Sequence, residues 1–301
     1  MSPVTHVHNG WYNYVGNNST GLNYLCYSCI TMNEGRGILE DNRGLLEELH
    51  RRFPGPFSTS EAAHVWGLER SRARRLLAHM AEQGWLARLR RDLYITVPLG
   101  ATTPREWRAD PWVVAATVFA PCYLGGWTAC EQWGLTEQLF RDVVVVASRP
   151  ITPRTQVIQG TAFKIKVTSS ERFFGLADVW RGPVRIPMSN PSRTIVDLLD
   201  DPRLGGGMRH IADVVTEYFQ GEVRDDEELL RFSDRLGNRT VFKRLGYLIE
   251  TLGLDATEVV AACKERMSSG VTLLDPSGPK GGRIYRRWGL RLNVRSGDAR
   301  Q

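Results

Sequence analysis

Apolar residues recur at helical intervals at Leu45, Leu46, Leu49 and Phe53 until Pro54-Gly55-Pro56 breaks the pattern, which predicts a first helix. Ser58, Thr59 or Ser60 can cap a second helix carrying Ala62, Ala63, Val65 and Trp66, and Gly67 ends it. A third helix runs from about Arg70 to Gln83 and stops at Gly84. Strand-type residues Leu86, Leu89, Leu93, Tyr94, Ile95 and Val97 then flank Arg90-Arg91-Asp92, the pattern of a two-stranded ribbon. Helix, helix, turn, helix and ribbon in this order predict a winged helix-turn-helix over residues 41–98.

Residues 99–110 read as a linker, with Gly100, Thr102, Thr103 and Pro104, and the periodicity beyond them is mixed. Trp112 to Phe119 and Thr128 to Trp133 predict helices, Val143 to Ala147 a strand buried on both faces, and Phe163 to Val167 an alternating strand. Val184 to Pro187 predicts a further short strand. Four helices are expected at Ser192 to Leu199, Met208 to Phe219, Glu227 to Leu236 and Val241 to Leu252, with closing strands at Ile284 to Arg287 and Leu290 to Val294. The expected fold class is therefore α+β: an N-terminal winged helix-turn-helix followed by a larger mixed α/β domain over residues 111–301. Residues 1–40 differ from all of this. Asn9, Asn13, Asn17, Asn18 and Asn23 lie among Gly and Tyr without a sustained period, which predicts a disordered leader, and the composition break makes Met32 a candidate natural start.

On a wheel of about 100° per residue, Ala73, Leu76, Leu77 and Met80 of the third helix form one apolar stripe. Ser71, Arg75, Ala78 and His79 lie opposite it, with Arg72 and Arg74 on the flanks. A basic N-terminal half and the positive end of the helix dipole suit the major groove of double-stranded DNA. Arg88, Arg90 and Arg91 sit on the ribbon, where a wing can reach the phosphate backbone or minor groove. Between Glu69 and Arg91 there are seven arginines against two acids, a local +5 beside the +6 of the whole chain. Charge and motif coincide, and the expected DNA-binding residues are Ser71, Arg72, Arg74, Arg75, His79, Arg88, Arg90 and Arg91. Lys280, Arg283, Arg286, Arg287 and Arg291, interleaved with Tyr285 and Trp288, form a second basic surface toward nucleic acid or an acidic partner, and a solvated strand pair accounts for them equally well.

The five cysteines are an odd count at irregular spacing, which argues against a disulfide framework and for a reducing cytoplasm. No apolar run is long enough to span a bilayer, and the N-terminus lacks the pattern of a signal peptide, so a cytoplasmic protein with no membrane contact is expected. Cys26 and Cys29 have the spacing of half a zinc site, but no second half follows. Gly205-Gly206-Gly207 lacks the Gly-Lys-Ser/Thr of a phosphate loop. Asp197, Asp200, Asp201 and Asp213 offer no paired carboxylates on a strand, and Lys164 and Lys166 have no acidic residue two positions before them. No catalytic residue, cofactor or metal is expected. The rival reading is an enzyme, in which a winged helix delivers a nuclease or transferase domain of unrecognised signature.

The order of parts resembles the AbiEi family, the antitoxin-regulators of bacterial type IV toxin–antitoxin and abortive-infection systems. The resemblance spans about residues 43 to 294. It rests on the winged helix, then Tyr123-Leu124-Gly125-Gly126-Trp127-Thr128-Ala129 with Trp133-Gly134-Leu135-Thr136, then Pro191-Ser192-Arg193-Thr194-Ile195-Val196-Asp197. Lys243-Arg244-Leu245-Gly246-Tyr247-Leu248-Ile249-Glu250 and Trp288-Gly289-Leu290-Arg291-Leu292-Asn293 complete it. The resemblance implies a repressor that binds repeats in its own promoter and counteracts a nucleotidyltransferase toxin encoded beside it, without a stable antitoxin–toxin complex. Residues 111–301 would then be an antitoxin domain. The family's DNA-reading positions map here onto Ser71, Arg72, Arg75, His79 and the wing.

Overall fold

Pro54-Gly55-Pro56 ends the first helix and turns the chain into a short strand that the apolar pattern does not announce. The computed structural model describes residues 40–294. The leader expected over residues 1–40 lies outside the described residues except for Glu40, and His6, His8, Cys26, Cys29 and Met32 lie outside them too.

Helix α1 (Glu40–Arg52) buries Leu46 and Leu49, and Phe53 after it stacks on Phe57 of strand β1 (Phe57–Ser58). Of the candidate caps, Ser58 starts α2 (Thr59–Trp66): its hydroxyl accepts from the Glu61 N–H at 3.2 Å and its own N–H donates to Glu61 Oε2 at 2.7 Å. That reciprocal pair is a capping box, and Gly67 closes the helix at φ 61°, a backbone state that favours glycine. Helix α3 (Arg70–Glu82) buries Ala73, Leu77 and Met80 along the predicted stripe. Strands β2 (Leu86–Arg90) and β3 (Leu93–Thr96) follow, and β1 pairs with β3 to make a sheet of order β1-β3-β2.

The end of the expected linker over residues 99–110 rests on the folded unit, where Ala109 is buried and its N–H donates to Gln159 Oε1 at 3.0 Å, whereas Leu99 at its start is exposed. Asp110 caps α4 (Pro111–Val118), accepting from the Trp112 N–H at 2.8 Å, with proline at the first turn where it displaces no hydrogen bond. Then come β4 (Cys122–Leu124), α5 (Gly126–Gln132), β5 (Val143–Ala147), β6 (Thr155–Ile158), β7 (Thr161–Val167), β8 (Leu176–Arg181) and β9 (Val184–Ser189). The helices α6 (Pro191–Asp200), α7 (Met208–Gln220), α8 (Asp226–Leu236), α9 (Thr240–Leu252) and α10 (Thr257–Arg266) precede β10 (Thr272–Leu273), β11 (Arg283–Tyr285) and β12 (Leu290–Leu292).

Six strands form one mixed sheet of order β6-β7-β5-β4-β9-β8, parallel at β5–β7 and β4–β9. Its two faces have different neighbours, and β5 shows how. Val144 joins the cluster of α6 to α9, whereas Val143, Val145 and Ala147 join α4, so a run of five buried residues serves two cores. The second cluster also contains Leu89, Leu93 and Ile95 of the winged helix. The winged helix and the sheet domain therefore share a core.

The segments behind the family resemblance meet inside this frame. Tyr123 donates to Asp197 Oδ2 at 2.9 Å, and Arg193 Nε donates to Asp197 Oδ1 at 3.1 Å, all three fully buried. Arg244 donates to the carbonyls of Leu199, Leu273 and Leu274, pinning the small sheet β10-β12-β11 to α6. Gly246 faces the ring of Trp288 so closely that a Cβ there would overlap it.

Candidate nucleic-acid interface

Burial of Ala73, Leu77 and Met80 fixes the rotation of α3 and leaves Ser71, Arg72, Arg74, Arg75, Ala78 and His79 exposed. Among the described residues, Arg72 and Arg75 make no hydrogen bond or ion pair, so both guanidinium groups are open to a partner. Arg74 lends its charge to Asp92 across the helix start. The Ser71 hydroxyl donates to Glu69 Oε2 at 2.6 Å, and His79 meets Trp85 edge-on with ring centroids 6.3 Å apart. Glu69 occupies the N-cap position but makes no side-chain cap, so the first N–H groups of α3 are left for solvent or an anion.

The ribbon spans the expected stretch, with the Val97 N–H donating to the Trp85 carbonyl at 3.0 Å beyond the strand ends. Its tip is the two-residue turn Arg91-Asp92, with Asp92 at φ 65°. Asp92 receives Arg70 Nη2 at 2.9 Å, and the nearby Thr59 hydroxyl first, then Arg70, hold its carboxyl below the usual range. The tip is thus tied to the start of α3. Arg90, expected to reach DNA, donates through Nη1 to the Val118 carbonyl at 3.2 Å, and Arg88 Nε donates to the Arg90 carbonyl at 3.4 Å. Arg88 and Arg90 are thus engaged within the fold, and Leu89 and Leu93 share a core cluster with α4 that draws the ribbon against the sheet domain. Arg91 is exposed and, among the described residues, has no such partner.

The second basic surface divides in the same way. Arg287 is committed to Glu250, its Nε lying 2.8 Å from Oε2, and Trp288 Nε1 donates to the same carboxylate. Arg287 and Trp288 together hold the Glu250 carboxyl below its usual range. Arg291 donates to the Gly282 carbonyl, whereas Lys280, Arg283 and Arg286 are exposed without a partner among the described residues.

In the sheet domain, Lys166 donates to Asp200 Oδ2 at 2.7 Å and Asn238 donates to Asp200 Oδ1 at 2.8 Å. Burial works to raise the Asp200 carboxyl, but Lys166, Asn238 and Arg172 outweigh it and the net shift is downward. Lys164 pairs separately with Asp142 at 3.2 Å. Among the described residues no group of three His, Cys, Asp or Glu is placed to hold a metal ion, and no helix is long and apolar enough to cross a membrane. The Arg70–Asp92 tie has no counterpart in the sequence pattern, since residues 22 apart carry no local signal of contact.

No curated protein matches the chain. The fold is similar to the crystal structure of the RV2827C protein from Mycobacterium tuberculosis, with a TM-score of 0.58 and 16% identity over 85% of this chain and 92% of that one. At this identity the likeness is one of fold. Residues 45–97 match the sequence profile described as "Transcriptional regulator, AbiEi antitoxin". The segment that builds the winged helix is therefore similar to the AbiEi antitoxin family of transcriptional regulators.

Proposed function

We propose that this chain is a cytoplasmic, DNA-binding antitoxin that represses its own operon and counteracts a cognate nucleotidyltransferase toxin without forming a stable complex with it. One observation carries the DNA-binding part: α3 presents Arg72 and Arg75 exposed and with no partner of their own among the described residues, Arg75 opposite the stripe that fixes the helix and Arg72 beside it. Arginine suits that position because its planar fork can take two acceptors of guanine or clamp a phosphate. Arg91 adds a backbone contact from the ribbon tip, and the open N-terminus of α3 favours a phosphate beside it. Residues 111–301 act in neutralisation rather than in reading DNA.

A regulatory family for residues 45–97 supports a non-enzymatic reading of the chain. The rival nuclease or transferase reading draws no support from Lys166, whose ammonium is engaged by Asp200, or from Tyr123, Arg193 and Asp197, which bind one another. Mobility-shift titrations of the chain's own promoter against a scrambled fragment test DNA recognition. Co-expression with the nucleotidyltransferase encoded nearest the gene, scored by growth, tests antitoxicity. Equal affinity for both fragments, or growth arrest unrelieved by this chain, would remove the corresponding half of the proposal.

A further inference from the structure

A groove of about 610 Å³ opens where the C-terminal end of α3, strand β2 and residues 105–108 meet. Arg88, Arg105 and Arg108 line it together with Trp107, and Glu82 and Gln159 complete the polar rim. Three cations against one carboxylate make it an anion-attracting site, and its size falls in the range of about 300–1,000 Å³ typical of small-molecule pockets. The groove is also built rather than incidental. Gly84, at φ 84°, lets residues 104 and 105 lie on the helix end so tightly that a Cβ there would stand 3.1 Å from Arg105 Cγ. Arg108 Nη1 donates to the Trp107 carbonyl at 3.1 Å, which fixes the segment's course. Trp107 is half-buried against the cluster of α4, and the Arg105 guanidinium has no partner among the described residues.

We propose that this groove binds a nucleoside phosphate, with the arginines taking the phosphates and the Trp107 indole the base. Aromatic faces accept any base by stacking, and guanidinium forks match phosphate oxygens. The groove shares Arg88 with the expected wing contacts but lies away from Arg72 and Arg75: Glu82 is ten residues beyond Arg72, about 15 Å along the helix axis at about 1.5 Å per residue. Ligand binding to the groove is measured without DNA, so its outcome is independent of whether α3 reads DNA.

Calorimetric titration of the full chain with ATP, GTP, CTP and UTP, and with inorganic triphosphate, tests it. At least one nucleoside triphosphate should bind saturably at one site, and Arg105→Glu should weaken it by about tenfold or more while circular dichroism stays unchanged. Trp107→Ala should weaken the nucleoside triphosphate more than inorganic triphosphate, which separates base recognition from a general phosphate site. Absence of saturable binding below about 1 mM, or binding indifferent to Arg105→Glu, would overturn the proposal. It would equally fail if Arg105→Glu altered only the affinity for duplex DNA.

Discussion

Arg90 donates to the carbonyl of Val118 at 3.2 Å, so the residue that the sequence offers as a wing contact to phosphate instead fastens the wing to the sheet domain. Arg149 reaches the same carbonyl at 2.8 Å, so the acceptor stays satisfied if Arg90 is replaced. The change Arg90→Ala should therefore lower stability by only about 0.5–1.5 kcal/mol. Arg91→Ala should leave stability within about 0.5 kcal/mol and reduce the salt slope of DNA binding by about one, the behaviour of a single phosphate contact. Urea denaturation and DNA titration across salt concentrations check both. A larger salt effect from Arg90 than from Arg91 would contradict the assignment.

Gly246 sits in the middle of α9 because the ring of Trp288 occupies the space of its side chain. Trp288 is fully buried, its indole N–H held by Glu250 and its ring covered by Lys264 at 4.0 Å, so it has nowhere to retreat. Although alanine is the better helix former, Gly246→Ala should destabilise the chain by about 1–3 kcal/mol through overpacking. An unchanged or raised urea midpoint would show that the close approach is not maintained in solution.

Removing the charge of Asp197 leaves the buried Arg193 without its counter-ion, so Asp197→Asn should cost about 3–5 kcal/mol. Tyr123→Phe removes two hydrogen bonds, one given to Asp197 and one accepted from Arg193 Nη2, and should cost about 1–3 kcal/mol. Denaturant titrations of the two variants separate these values, and equal losses would contradict the picture of an ion pair supported by a phenol.

Acid should destabilise the fold through Asp200, Asp201 and Glu250, whose carboxyls all lie below their ordinary values. For each, the folded state binds its proton more weakly than the unfolded state does. The associated stability is therefore complete above the unfolded carboxylate range of about 4 and is lost as pH falls through the depressed folded values. Urea stability measured from about pH 6 to about pH 3 should fall, and Asp200→Asn should show a shallower fall. An identical slope in the variant would remove Asp200 from the account.

Much of this architecture is legible in the chain because burial repeats at regular intervals: Ala73, Leu77 and Met80 place α3, and the five consecutive buried residues of β5 announce a strand covered on both faces. Elements that bury little give no such signal. Strand β1 has two residues, β6 at the sheet edge exposes Val157, and α10 buries only Val259 and Cys263. Helix α5 begins two residues before the predicted start, at Gly126, whose φ of 58° and closeness to the Leu204 carbonyl come from tertiary packing. The basic face of α3 was readable from its wheel. What binds Arg90 and Arg287 was not, since a carbonyl 28 positions away or a carboxylate 37 positions away leaves no trace in the local pattern.

The DNA-binding face is tested most directly by the double change Arg72→Ala, Arg75→Ala, compared with the native chain on promoter and scrambled DNA at two salt concentrations. Both side chains are exposed, so circular dichroism and the melting curve should be unchanged. If either arginine reads a base, its removal should cost about 1–3 kcal/mol on the promoter and much less on scrambled DNA. If they hold phosphates, binding to both fragments should weaken alike and the salt slope should fall by about one per arginine. Either result supports α3 as the reader. Native promoter affinity in the folded double variant would contradict it.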